Sequence, residues 1–191
     1  MEKIDLLSKI IAERRSVFTT QFSEEPVPDE WIQKMLENAN WAPNHKQTEP
    51  WRFHIFSGSS LLKLSEYMGE TYKKFTSIEK FSERKHQKRI NSPLKSSHVI
   101  AICMQRDPKK RVPKWEELAA VSCAVMNLWL SCSALGLGGY WSTPMAALKA
   151  DDFLKLPKNQ RCLGLFYVGR VKAGLELTSS RTPVSEKVVW H

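Results

Sequence analysis

The pattern of apolar and polar positions divides the chain before any motif is considered. Ile4, Leu7, Ile10 and Ile11 share one helical face, and the pattern stops near Arg15, which predicts a first helix. Pro28, followed by Asp29 and Glu30, opens a second periodic run of Ile32, Met35, Leu36 and Ala39 that ends before Pro43. The stretch WRFHIFSG, from Trp51, is dense in aromatic and apolar residues and reads as a strand. Residues Ser60 to about Ile90 predict one or two mostly solvated helices rich in lysine and arginine, and HVIAICMQ, His98 to Gln105, is a compact β-branched strand. From Trp115 the run WEELAAVSCAVMNLWLSCSALGLGG predicts a long apolar helix ending at a glycine cluster. GYWSTP follows, then a short helix is expected around Asp151 to Leu156, then a buried strand over Cys162 to Val171. The tail RTPVSEKVVWH ends apolar, which suggests docking on the body of the protein or on a partner chain.

The length of 191 residues is enough for one sizeable core and predicts a single domain over residues 1–191. Hydrophobic residues at 42% and charged residues at 26% exclude disordered and low-complexity classes. A formal net charge of +9 invites a polyanion, whether nucleic acid, an acidic membrane surface or a phosphorylated small molecule, and charge alone does not choose among them. The N-terminal MEKIDLLSKIIAERR carries acids and has no apolar core followed by a small-residue cleavage site, so it does not read as a secretory signal and a cytoplasmic protein is expected. Cys103, Cys123, Cys132 and Cys162 lie in apolar surroundings without metal-ligand spacing, which predicts four buried thiols and no zinc site. The long apolar run approaches the length of a bilayer span, but Glu116 and Glu117 open it and Ser122, Asn127, Ser131 and Ser133 interrupt it. It is read as a buried helix, shared with a second subunit because it is apolar all round.

The short catalytic motifs of P-loops, α/β-hydrolases, zinc proteases and dinucleotide folds are absent. GLGG, Gly136 to Gly139, reads first as a helix C-cap and a tight strand entry. His45 and His54 stand near Trp41 and Trp51, and spacing leaves their role undecided. Arg14 and Arg15 fit the negative end of a helix dipole, a contribution of about 0.3 to 1 kcal/mol. Two guanidinium forks with Ser16 equally suit a phosphate, at about 1.5 to 3 kcal/mol per charge-assisted bond. Spacing alone does not separate these two readings.

Taken in order, ERRSVF near the N-terminus, PVPDEWIQKMLENANWAPNHKQTEPWRFHIF, ALGLGGYWSTP and the GR of YVGRV resemble the nitroreductase family of FMN-dependent oxidoreductases, in particular its compact members. The match spans nearly the whole chain. The resemblance implies an α+β nitroreductase-like fold, with a central, mostly antiparallel sheet flanked by helices. It also implies a homodimer formed through a long helix, here Glu117 to Leu135, with FMN at sites between subunits. It places Arg14, Arg15 and Ser16 on the flavin phosphate, ribityl chain and ring edge, and Arg181 on the phosphate. Trp41 and His45 would reach the FMN from the partner subunit. Trp141, Ser142 and Thr143, with Pro144 after them, would lie along the isoalloxazine ring. The segment Ser131, Cys132, Ser133, Ala134, Leu135 and Gly136 corresponds to one assigned to the nicotinamide cofactor in similar members. No catalytic side chain is implied, because the flavin does the redox chemistry. NADH or NADPH would be the electron donor, and a nitroaromatic, quinone or similar electrophile the acceptor, in a ping-pong cycle.

One departure stands out. Many relatives carry a second cation two residues after the serine, near the flavin pyrimidine, where this chain has Phe18; Lys46 and Arg52 are the nearest candidates in the linear sequence to compensate. The segment Tyr67 to Lys95, with Tyr72, Phe75 and Phe81, is either a lid over the flavin or a solvated helix. The rival reading from another class is a nucleic-acid-binding module without cofactor, in which cations between Lys73 and Lys95 interleave with those aromatics. A membrane span at Leu118 to Leu137 is a more distant third.

Overall fold

The computed structural model describes residues 2–191. In chain order it forms α1 (Lys3–Glu13), α2 (Asp29–Ala39), β1 (Trp51–Ser57), α3 (Ser59–Phe75), α4 (Glu83–Leu94) and β2 (His98–Gln105). These are followed by α5 (Lys114–Ala134), β3 (Leu137–Ser142), α6 (Met145–Leu148) and β4 (Gln160–Arg170). The four strands make one sheet in the order β1-β2-β4-β3, and every neighbouring pair is antiparallel. This is an α+β arrangement with a fully antiparallel sheet.

The sheet is covered on both faces, which is why β2 reads as an almost unbroken apolar run. Alternate side chains go to opposite layers. Ile100, Ile102 and Met104 of β2, with Phe166 and Val168 of β4, pack on α2 and α5 through Met35, Ala39, Val121, Val125 and Leu128. Val99, Ala101 and Cys103, with Leu165 and Tyr167, pack the other way on Leu61, Leu64 and Met68 of α3 and on Ala146 and Ala147 of α6. A polar chain fastens α2 to the sheet. The buried His98 ring meets Asp29 through Nε2 at 2.9 Å and Ser97 Oγ through Nδ1 at 3.1 Å, and Ser97 Oγ accepts the Val27 N–H at 2.9 Å.

α5 is long and apolar enough to cross a membrane by length and composition. Its inner face is built into the core instead, and its buried Glu117 pairs with Arg106 and accepts the Asp107 N–H at 2.8 Å. The helix closes at Leu135 with Gly136 at φ +70°, a left-handed position that favours glycine after a helix end, and the strand β3 starts at once.

Several expectations change. The helix expected around Asp151 to Leu156 is a series of turns; the short helix lies earlier, at Met145–Leu148, where Pro144 supplies its start. Pro144 is followed by Met-Ala-Ala-Leu, which can turn on itself and bury two small alanines, whereas Lys155 at φ +52° breaks the later segment. Of the four cysteines expected to be buried, Cys123 is exposed, because it lies on the face of α5 opposite Val121 and Val125. α1 has its predicted bounds, but none of its residues is buried, and Ile4, Leu7 and Ile11 face outward. The tail past Arg181 does not dock on the body of this protomer: Trp190 is 92% exposed.

Candidate functional site

The site is built where α1 ends beside the free edge of β3. The chain leaves α1 at Arg14, and Ser16 forms a parallel bridge with Gly139 while the Val17 N–H donates to the Gly139 carbonyl at 3.1 Å. This pins the arginines against the sheet. Arg15 turns back and donates through Nη1 to the carbonyls of Ala12 and Arg14, so it closes the helix as a C-terminal cation does. Its Nε is buried and has no hydrogen-bond partner. Arg14 lies over α5, its guanidinium carbon 4.4 Å from the centroid of the Trp129 ring.

Arg181 returns to this point from the far end of the chain. Arg14, Arg15, Ser16, Ser179 and Arg181 line one cavity of about 230 Å³, and no carboxylate lines it. Burial, then the charges of Arg15 and Arg181, push the Arg14 guanidinium below its ordinary value. Like charges are thus gathered without a counterion, and a buried Nε–H is left to donate. Three guanidinium groups and the hydroxyls of Ser16, Thr178 and Ser179 make a donor set that suits a phosphate monoester.

The other expected residues fall in two places. Trp141 and Ser142 end β3, opposite Phe166 and Leu165, and Thr143 beyond them is exposed. The Trp141 ring packs on the core layer next to α5, its Nε1 buried without a partner, over the Cα of Gly164. In the C-terminal turn of α5, Ser131 Oγ accepts from Asn38 Nδ2 at 2.9 Å and Cys132 is fully buried, its thiol pushed up to about 12 by burial. Ser133, Ala134, Leu135 and Gly136 retain accessible surface, so a ligand at this segment meets them rather than the Cys132 thiol.

Trp41 and His45 are not with the arginines in this protomer. Trp41 is 86% exposed, and His45 Nδ1 meets Glu116 at 2.7 Å, in the first turn of α5. Arg14 meets Trp129, thirteen residues further along the same helix, about 20 Å away at 1.5 Å per residue. The loop that carries His45 is strained, with Lys46, Gln47 and Glu49 at φ +53°, +51° and +40°.

Phe18 is exposed beside Tyr140, ring centroids 5.0 Å apart. Lys46 and Arg52 do not replace the missing cation within the protomer: Lys46 donates to the Arg111 carbonyl, and Arg52 is held by Gln105 and by the carbonyls of Glu49 and Trp51 next to β1, the opposite edge of the sheet from β3. The cations that do flank Phe18 are Arg84, Lys88 and Lys95 of the α4 segment, and linear distance gave no signal for them. The aromatics of that region are partly spent on packing. Tyr72, Phe81 and the buried His86 form one cluster with centroids 5.5 to 6.0 Å apart, which weakens the stacking surface a nucleic-acid module requires. A larger cavity, about 930 Å³, lies between residues 19–29 and 94–98 and includes none of the expected site residues.

An antiparallel sheet wrapped by helices, with an arginine cluster at the end of the first helix, defines an α+β protein with a cationic cavity beside one edge strand. The chain belongs to the nitroreductase family, whose model matches residues 11–170. It is 30% identical over 186 residues to the Putative NAD(P)H nitroreductase YfhC of Bacillus subtilis (strain 168), covering 95% of this chain and 92% of that one. Among solved structures it is similar to a nitroreductase-like family protein from Bacillus cereus, with a TM-score of 0.78 and 27% identity over 97% of this chain and 95% of the other. The same fold recurs in a Desulfovibrio desulfuricans chain described in complex with FMN, with a TM-score of 0.75 and 21% identity over 100% of this chain and 98% of that one.

Proposed function

We propose that the protein is an FMN-dependent oxidoreductase that works as a homodimer in the cytoplasm, one nitroreductase-like domain per chain. When bound, FMN supplies the redox chemistry, taking electrons from NADH or NADPH and passing them to a nitroaromatic, quinone or similar electrophilic acceptor in a ping-pong cycle. The observation that carries this reading is the convergence of Arg14, Arg15, Ser16 and Arg181 on one cavity, with a buried Arg15 Nε that has no partner in the protein.

The residues then divide the binding work. Arg14, Arg15 and Arg181 hold the phosphate, Ser16 holds the ribityl chain and the ring edge, and the segment Trp141 to Thr143 lies along the ring with its backbone. Ser131 to Gly136 is the segment offered to the nicotinamide cofactor. Trp41 and His45 come from the partner subunit. Their separation from Arg14 along α5 supports this, because a twofold axis across α5 brings the Glu116 end of one helix to the Trp129 end of the other. The exposed apolar residues of α5, Leu118 and Met126, and those of α1 and the tail suit the same interface. A cytoplasmic setting fits four free thiols.

The test is the visible spectrum of the purified protein, before and after anaerobic addition of NADPH and then NADH. A yellow protein bleached by one of them is expected. A protein that can neither be isolated with FMN nor reconstituted with it excludes the reading.

A further inference from the structure

A second cavity, of about 500 Å³, opens beside Phe18 and shares no lining residue with the arginine cluster. One wall is aromatic. Phe18 is 51% exposed, and Tyr140 behind it stacks on Tyr167 with centroids 4.9 Å apart, so the wall is backed by the core and does not give way. The facing wall is one side of the α4 segment. Arg84, Lys88, Asn91 and Lys95 recur at intervals of four, three and four residues, which places them one above another on a helix.

The charge on this wall is uncompensated. Among the described residues no Asp or Glu lines the cavity, and Arg84, Lys88 and Lys95 take part in no ion pair. An exposed ring invites a flat apolar ligand, because stacking removes both surfaces from water. Three cations facing it invite negative charge on that ligand's rim, an attraction between exposed groups that salt screens. A neutral aromatic would use only the first wall, and a small inorganic anion only the second.

We propose that this cavity is the subsite for the electron acceptor and that it selects aromatic acceptors bearing an anionic substituent, such as a carboxylate or sulfonate. The proposal rests on the flavin reading, since Phe18 and Tyr140 are two residues and one residue removed from the bridged pair Ser16 and Gly139, at the edge where that reading seats the cofactor. It narrows that reading from electrophilic aromatics in general to charged ones. Phe18 then has a role of its own, as the ring on which the acceptor lies, while α4 carries the positive charge.

The experiment compares 4-nitrobenzoate with its neutral analogue 4-nitrobenzamide on the FMN-loaded protein. Binding is followed by calorimetry at low and high salt, and KM is measured for each. The carboxylate is expected to bind about tenfold more tightly at low salt, with the preference shrinking as salt rises. The double variant Arg84→Gln, Lys88→Gln is expected to bring the two ligands to parity, and Lys88→Arg to keep the preference. Both positions are exposed, so these variants should fold, and an unchanged far-ultraviolet spectrum and FMN content check this. Equal affinities in the unaltered protein, or a preference that survives the double variant, overturn the subsite while leaving a yellow protein and the flavin reading intact. Displacement of FMN by 4-nitrobenzoate also overturns it, since the cavity would then be part of the flavin seat. A protein that takes up no FMN overturns the flavin reading and the acceptor role with it.

Discussion

The guanidinium of Arg14 lies over the indole of Trp129, 4.4 Å from its centroid, and Trp129 in turn meets Phe166 of β4 edge-on at 5.3 Å and 80°. The end of α1 is thereby referred to the centre of the sheet through one aromatic ring. A cation over an indole contributes about 0.5 to 2 kcal/mol, the larger value where water is excluded. Arg14→Ala is expected to weaken FMN binding at least tenfold, from loss of a charge-assisted bond of about 1.5 to 3 kcal/mol. Trp129→Leu is expected to weaken it by a smaller factor without removing any group that touches the ligand. Equilibrium dialysis of FMN against both variants measures this, and an affinity unchanged by Arg14→Ala would show the phosphate assignment to be wrong.

Gly164 is required by Trp141. A Cβ at Gly164 would stand 2.2 Å from Trp141 Nε1 and 2.7 Å from the Ser142 carbonyl, and the backbone there has φ +151°. Gly164→Ala should therefore both strain β4 and push Trp141 from its seat, at a cost of about 1 to 3 kcal/mol. A lower urea midpoint together with altered tryptophan emission is the expected result. An unchanged midpoint would mean that the ring moves aside freely.

Cys123 reports on the outer face of α5. It is exposed, whereas Cys103, Cys132 and Cys162 are buried, so a dilute, monomeric protein should show one fast thiol toward a disulfide reagent and the remaining three only on unfolding. If α5 is the dimer seam, Cys123 slows as protein concentration rises. Met126, 46% exposed on the same side, offers a way to undo this. Met126→Lys is expected to shift sedimentation toward the monomer and restore fast labelling. Fast labelling of Cys123 in a demonstrated dimer would place the seam elsewhere.

Asp107 sets an acid limit. Arg111 grips it through Nε at 2.8 Å and Nη2 at 3.2 Å, and the Arg111 N–H adds a bond at 3.0 Å. The Arg111 side chain and N–H hold the carboxyl at about 2. Because the folded value lies below the unfolded one of about 3.9, the interaction stabilises the protein above pH 4 and is lost as the pH falls through about 2. Arg111→Ala should lower the urea midpoint near neutral pH, and the gap to the unaltered protein should close between about pH 4 and 2. A gap independent of pH would assign the loss to packing instead.

Short-range signals in the sequence identified most elements. The bounds of α2 follow from Pro28, two acids and a periodic apolar face, those of β2 from an unbroken β-branched run, and the end of α5 from Gly136. Each of these is decided within a few residues of chain, by dihedral preference and by side-chain periodicity. The helix misplaced at Asp151 to Leu156 had neither a cap nor a clear apolar face to anchor it. The arginines of ERRSVF illustrate the limit: the sequence left helix closure and anion binding equal, and in the structure Arg15 bonds back to Ala12 and Arg14 lies over Trp129 while both line one cavity.

What the sequence by itself determined, then, is most of the elements, the inward faces of α2 and β2 and, through the order of its motifs, the family. Only the tertiary structure decided what lies across from what. It set α4 rather than Lys46 or Arg52 against Phe18, turned Cys123 outward, and put His45 and Arg14 at opposite ends of α5. The reason is physical. Periodicity states which face of a helix is apolar, but whether that face is covered, and by which distant segment or second copy, depends on how packed layers meet after the chain has closed long loops.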